Sequence, residues 1–233
     1  MPEAFLRELL KNGGDLLAAI LRFNAPPAAR FFPDALPEPA ARLLREGTLA
    51  GLEGSRAGRA RVRAYLLRQA GADPENFFLD FRDKRRRLAL LERETLVRLA
   101  SLCGACIYAP EASRCVLRKE VLTLRAALGP DYDHILSRGR FQWEQSRACF
   151  KTFRPESPLP ERMRAAGQAA LRLCMADWPQ ALRRRADPLL PAELRSAGNK
   201  ALSCPADFLP GIWLDVKKLL LKEVAPQWQA CFA

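Results

Sequence analysis

Ala206-Asp-Phe-Leu-Pro-Gly-Ile-Trp-Leu-Asp-Val-Lys-Lys-Leu-Leu-Leu-Lys-Glu-Val-Ala-Pro-Gln-Trp-Gln-Ala-Cys-Phe-Ala233 is the stretch that decides the fold. Leu209, Ile212, Trp213, Val216, Leu219, Leu220 and Val224 recur at three- and four-residue steps. That period is the apolar stripe of an amphipathic helix, not the alternation of a strand. Pro226 ends it, since proline offers no amide donor and clashes with the preceding turn. Ile212, Val216, Leu219 and Leu220 form the face expected to be buried, and Lys217, Lys218 and Lys222 share the wetter face. Trp228 and Phe232 in the tail are, with these lysines, candidate partner-binding residues.

Working back toward the N-terminus, the same period recurs. The sequence predicts helices over Glu3 to Phe23, Arg59 to Ala70 and Lys84 to Ile107. Further helices are predicted from Pro110 to Leu128, from Asp131 to Phe150, up to Met175, and from Trp178 to Ala186. Asn12-Gly13-Gly14-Asp15 interrupts the first, with Asp15 placed to cap a second short helix. Asp73-Pro74-Glu75 has the cap, proline and acid order of a helix start. Gly129-Pro130 reads as a C-terminal stop. Asn24 to Pro39 reads as an ordered loop, or a short helix between prolines, anchored by Phe23, Phe31 and Phe32. Gly47 to Gly58 reads as a mobile glycine-rich connection, and Asp187 to Pro210 is punctuated by prolines. No alternating run of β-branched residues is long enough for a strand, and no segment repeats at a fixed period. The expected fold is all-α: a single compact multi-helix domain with proline-rich connections. Residues 1–22 read as a helical extension and 23–233 as the domain, with Arg154 to Pro160 as an internal linker.

At 233 residues, with 49% hydrophobic and 27% charged side chains, the chain can bury a sizeable core and belongs with globular proteins. No apolar run approaches the ~20 residues of a bilayer span. The N-terminus lacks the basic and apolar regions of a secretory signal, so a cytoplasmic protein is expected. Seven cysteines without a regular framework then read as free thiols. The net charge is +12, and residues 56–98 hold half of the excess. The excess is almost all arginine, which a GC-rich coding sequence also produces. Acidic proteins, nucleic acid and an anionic membrane surface are the partners such a balance suits.

Catalytic residue types are scarce. His134 is the one histidine, in the first turn of a predicted helix, and neither a nucleophile elbow nor a metalloprotease motif occurs. Gly54 to Gly58 has no Gly-Lys-Ser/Thr ending and is not a phosphate-binding loop. Cys103-Gly104-Ala105-Cys106 is the sharpest motif match, but it falls on the apolar stripe at the end of a long predicted helix. Packing is the reading this favours. A redox dithiol would follow a strand, and a zinc site would need Cys115 and His134 as well. No catalytic residue, cofactor or metal is therefore assigned. Arg82-Asp83-Lys84-Arg85-Arg86-Arg87 is the densest basic run, supplemented by Arg56, Arg59, Arg61, Arg63 and Arg183 to Arg185. Arg82, Lys84, Arg85, Arg86 and Arg87 are candidate docking residues for an acidic protein; nucleic-acid binding and a merely solvated helix start are the other readings.

The order of segments resembles a known family. Arg22-Phe23-Asn24-Ala25-Pro26-Pro27 to Leu36-Pro37 is similar to its Phe-x-Pro-Ala opening segment. The apolar helix before Arg114-Cys115-Val116-Leu117, with a leucine-rich helix after it, looks like its middle, and Trp213 to Phe232 looks like its C-terminus. The family is SctK (YscK, PscK and OrgA types), the accessory subunit of the type III secretion sorting platform. Met1 to Leu21 and Arg56 to Arg87 depart from it. The resemblance implies a non-enzymatic, mostly helical cytoplasmic adaptor without cofactors, at the cytoplasmic face of the bacterial inner membrane. It would link the inner-membrane ring protein SctD to the SctQ pod, and through it to SctL and the ATPase SctN, so supporting protein secretion and virulence by the injectisome. The alternative reading is a basic helical nucleic-acid-binding or regulatory protein.

Overall fold

The computed structural model of the chain describes residues 7, 9, 14–139, 143–144, 146–150, 156–195 and 204–232, with backbone alone at 134 and 138. The first part of the predicted Glu3 to Phe23 helix, parts of the predicted 131–150 helix, Arg154-Pro155 of the expected linker and residues 196–203 lie outside them. Helices account for all the regular structure, and no strand occurs among the described residues. In chain order the α-helices are α1 (Asp15–Asn24), α2 (Glu38–Arg45), α3 (Thr48–Leu52) and α4 (Arg56–Gln69). They continue with α5 (Arg93–Ile107), α6 (Ala109–Ala112), α7 (Arg118–Leu128) and α8 (Tyr132–Arg138). The last are α9 (Leu159–Met175), α10 (Gln180–Ala186), α11 (Leu209–Leu219) and α12 (Gln229–Phe232). No described helix is long and apolar enough to cross a membrane.

The helices form two compact units. The first is drawn from Met1–Arg93, Asp177–Gly198 and Ala230–Ala233, and the second from Glu94–Ala176 and Asn199–Gln229. Neither division expected from the sequence, at residue 22 or within 154–160, separates them. Leu16, Ile20 and Phe23 of α1 are buried, so this helix belongs to a core.

In the first unit Phe81 meets Phe23 and Phe78 edge-on, at 5.7 and 5.2 Å between ring centres. The helix expected after Asp73 does not form. Asp73 accepts the Glu75 amide at 2.9 Å in a local turn, and residues 77–82 run without regular structure. Side chains satisfy that backbone instead. Buried Asn24 donates to the Phe78 carbonyl at 2.8 Å and accepts the Phe78 amide at 2.8 Å. Buried Arg185 donates to the carbonyls of Asn24, Asp73 and Asn76. Where such a segment passes against the core, as at Phe81, its polar backbone needs partners.

The predicted Lys84 to Ile107 helix is also divided. Lys84–Leu90 is a 3₁₀ helix, a break follows at Leu91, and α5 starts at Arg93. Arg87, Leu88, Ala89, Leu90 and Leu91 are all buried, so this run is enclosed on every side. Gly47 to Gly58 is built, not loose. Gly47 stands before α3 at φ 72°, and the Ser55 hydroxyl caps α4 by accepting the Gly58 amide at 2.9 Å. A β-carbon on Gly58 would fall 1.8 Å from the Leu52 carbonyl oxygen, so only glycine closes the α3–α4 corner.

In the second unit α5 and α9 cross with their backbones touching. A β-carbon on Gly104 would lie 1.8 Å from the Met163 carbonyl oxygen, and one on Gly167 would lie 1.8 Å from that of Ala100. Leu102, Ala105, Ala109 and Ile135 form a core cluster, with Leu128 and Val224 packed on it. α11 buries Ile212, Val216 and Leu219 as expected, and Leu220 begins a wider π turn that ends at Val224 before Pro226. Asp131 precedes α8 without a side-chain cap bond, and α8 runs only to Arg138; a 3₁₀ helix covers Ser146–Phe150.

Candidate interaction surfaces

The basic run is mostly neutralised where it stands. Arg82 Nε donates to Asp80 Oδ1 at 2.8 Å, and Arg86 contacts the other oxygen of the same carboxylate. The Arg82 hydrogen bond, aided by Arg86, holds the Asp80 carboxyl down at about 2. Arg85 pairs with Asp83 at 2.9 Å and with Asp177 at 3.1 Å. Lys84, Arg85 and Arg86 are half-buried, and only Arg82 is exposed. Arg87 is 0% exposed, with its guanidinium on the carbonyls of Phe81 and Cys231. The expected docking role is thus corrected for Arg87: it is a core cation that ties three stretches of the first unit together. The reason is the buried Leu88–Leu91 run, which draws the preceding residue inside with it.

The C-terminal candidates divide likewise. Lys218 and Lys222 are exposed, and Lys217 and Trp228 are half-buried. Phe232 is fully buried, which corrects its assignment as a tail residue offered to a partner.

Cys103 and Cys106 are buried thiols. Burial pushes both pKa values up, that of Cys106 to about 12, so neither is a thiolate nucleophile at neutral pH. The glycine between them makes the α5–α9 crossing, which gives the motif a packing purpose. No three His, Cys, Asp or Glu side chains gather as metal ligands among the described residues, and the His134 side chain lies outside them.

Two further surfaces stand out, of which the sequence pointed to the second only as a supplement to the 82–87 run. The first is α7 with the turn before it. The stripe Val116, Leu117, Val121, Leu124 and Leu128 reads as a core face, yet only Leu124 is buried. Val116, Leu117 and Leu122 are 84%, 63% and 54% exposed. Around them stand Arg114, Arg118, Lys119 and Arg125, with Glu120 as the acid within that stretch. Arg125 lies over the Tyr132 ring at 5.1 Å, which fixes one end of this basic frame. Val116 and Leu117 precede the first turn of the helix, so the periodic stripe that starts at Val121 does not carry them onto its buried face.

The second is α4. Residues 56–72 contain Arg56, Arg59, Arg61, Arg63 and Arg68 and no acid. None of the five pairs with a carboxylate among the described residues. Uncompensated charge in the first unit therefore sits on α4 more than on the denser run at 82–87. A cavity of about 340 Å³ beside α4 is lined by Arg56, Arg59 and Arg63, and another of about 220 Å³ by Arg184, Arg185, Phe77 and Phe78. Neither lining joins a nucleophile to a base.

No protein-family model, curated protein or solved structure matches the chain.

Proposed function

We propose that this protein is a non-enzymatic helical adaptor of the type III secretion sorting platform. It links the inner-membrane ring protein SctD to the SctQ pod at the cytoplasmic face of the inner membrane, and so connects indirectly to SctL and the SctN ATPase. One observation carries the reading: α7 and the turn before it leave Val116, Leu117 and Leu122 exposed in a stretch whose charged residues are mostly basic. Large apolar side chains exposed close together in a predominantly basic stretch are what a protein partner buries. The charge specifies an acidic partner segment whose apolar residues cover the three side chains. The same segment, from Arg114, carries the middle part of the resemblance to SctK.

The test is co-purification of the full chain with SctQ and with SctD. Replacing Val116 and Leu122 by Asp together should abolish capture of one of the two partners and leave the helical circular dichroism unchanged. Retention of both partners by the folded double variant would reject the α7 surface. A second reading, binding to nucleic acid, has the unpaired arginines of α4 in its favour. It requires a salt-dependent shift with DNA or RNA that weakens when those arginines are replaced.

A further inference from the structure

The cavity beside α4 has the chemistry of an anion site. Arg56, Arg59 and Arg63 line it from one face of α4, and Ala25, Pro26 and Pro27 form the opposite, apolar wall. Glu53 is the acid in the lining. Its Oε1 is already committed, accepting the Ala28 amide at 3.0 Å, a bond that fixes the wall to the end of α3. Arg59 is held as well: its Nη1 donates to the Glu53 carbonyl at 2.9 Å. Arg63 has its Nε buried with no acceptor. A buried donor left without a partner is costly and rare in a finished fold. Three guanidinium groups against one carboxylate leave two positive charges that no other described side chain offsets. The field extends beyond the lining. Burial lowers the pKa of the Arg185 guanidinium, and the charge of Arg63 acts in the same direction.

We propose that this cavity binds a phosphate-bearing anion, a phosphomonoester or diphosphate group, with its oxygens on Arg56, Arg59 and Arg63. A phosphomonoester carries about −1.5 to −2 at neutral pH, which matches the excess, whereas one carboxylate would leave half of it standing. Guanidinium forks suit phosphoryl oxygens because two parallel donors meet two acceptors. The volume is at the small end of ligand sites, which run from about 300 Å³ upward. It suits a small phosphorylated compound or a lipid head group, with the proline wall against the carbon part. This inference is independent of the adaptor reading.

Isothermal titration of the full chain with inorganic pyrophosphate, at ionic strength held constant with chloride, tests it. Saturable one-to-one binding is expected. Arg59→Gln and Arg63→Gln should each weaken it by about tenfold or more, the loss of one charge-assisted contact. Arg61→Gln is the control: it removes the same charge from an exposed position of the same helix, outside the lining, and should change affinity less than about threefold. Arg56→Gln, at an exposed position, replaces Arg63→Gln if that variant fails to fold. Sedimentation with phosphatidylcholine vesicles containing phosphatidic acid separates the sources. Binding that pyrophosphate competes away and Arg59→Gln abolishes identifies a lipid head group. Pyrophosphate binding without vesicle binding identifies a soluble phosphate compound. Absence of saturable pyrophosphate binding, or an equal loss in Arg61→Gln and Arg59→Gln, overturns the site.

Discussion

Replacing Gly104 by alanine adds one methyl group where α5 and α9 touch, and the geometry fixes its effect. The new carbon would start 1.8 Å from the Met163 carbonyl oxygen, 2.6 Å from the carbonyl carbon and 3.1 Å from the Gly167 nitrogen. All three obstacles are backbone, so no rotamer change relieves them. Ordinary contact begins near 3.4 Å, and the helices must part by about 1.5 Å at the crossing. A gap of ~1 Å already forfeits up to half of the dispersion attraction across an interface. Leu99, Ala100, Cys103, Ala166 and Ala170 around the crossing are buried and lose contacts with it. Overpacking of a core costs typically about 1–3 kcal/mol, and a backbone obstacle belongs at or above that upper end. Alanine returns about 1 kcal/mol through its better helix propensity. The net is a destabilisation of about 2 kcal/mol or more, which lowers the melting temperature by about 4–8 °C in a chain of this size. Gly51→Ala provides the opposite sign. It also lies in a helix, but its β-carbon meets nothing within 4 Å, so about 0.5–1 kcal/mol of stabilisation is expected. Gly104→Ala with Gly167→Ala should cost less than the two summed, because one separation relieves both clashes. Thermal and urea unfolding measure all four proteins. A Gly104→Ala variant as stable as the parent would refute the crossing.

Leu220→Ala should destabilise by about 2–5 kcal/mol, because Leu220 is fully buried, whereas Lys218→Glu at an exposed position should stay within about 1 kcal/mol; urea titration separates them. Arg87→Ala leaves the Phe81 and Cys231 carbonyls without their donor, at about 1–3 kcal/mol for each, and reversing the charges of the whole 82–87 run should unfold the protein; native circular dichroism after reversal would contradict the buried position of Arg87. Asp80 is held at about 2, below its ordinary 3.8, so its pairing stabilises fully above pH 4 and is lost as pH falls toward 2; Asp80→Asn should flatten acid unfolding across that window, and an unchanged profile would remove the ion pairs from consideration. Asp215 is shifted upward by burial, so its charge opposes folding once pH exceeds the carboxylate range; Asp215→Asn, which keeps an acceptor for Ser146, should be neutral or stabilising at pH 7 and not at pH 3.

The helical class and several helix ends were legible because they rest on local rules. The stripe from Ile212 to Leu220, the proline stop at Pro226 and the end of α7 at Gly129 need no knowledge of the rest of the chain. The failures share one cause: a partner far away in sequence overrides a local preference. Asp73-Pro74-Glu75 has the chemistry of a helix start, yet Asn24 and Arg185 take the backbone groups that a helix would have used. The Leu-Ala-Leu-Leu run at 88–91 looks like one face of a long helix because periodicity cannot register burial on all sides. The unit division depends on contacts between residues as distant as Phe81, Arg87 and Cys231.

Charge density was a poor guide to where the fold leaves charge uncompensated, and the reason is physical. A cluster of arginines acts on a partner only through charge that the fold leaves uncompensated. The run at 82–87 carries its own acids, Asp80 and Asp83, at spacings that let the same side chains fold back on each other, and Asp177 completes the set. Residues 56–72 are less dense in arginine but contain no acid, and the fold brings none to them except Glu53, already hydrogen-bonded. What separates the two stretches is pairing in the fold: Asp80, Asp83 and Asp177 hold Arg82, Arg85 and Arg86, while no carboxylate among the described residues pairs with the arginines of α4. Apolar surface behaves in the same way. Leu124 of α7 finds a core, while Val116, Leu117 and Leu122 exceed what this small part of the second unit can bury. Their exposure costs about 25 cal/mol for each Å² of apolar area that a partner could cover. Val116, Leu117 and Leu122 lie within seven residues of one another in a stretch richer in bases than acids, so the burial that α7 and the turn before it leave unused is what the proposed acidic partner segment would supply.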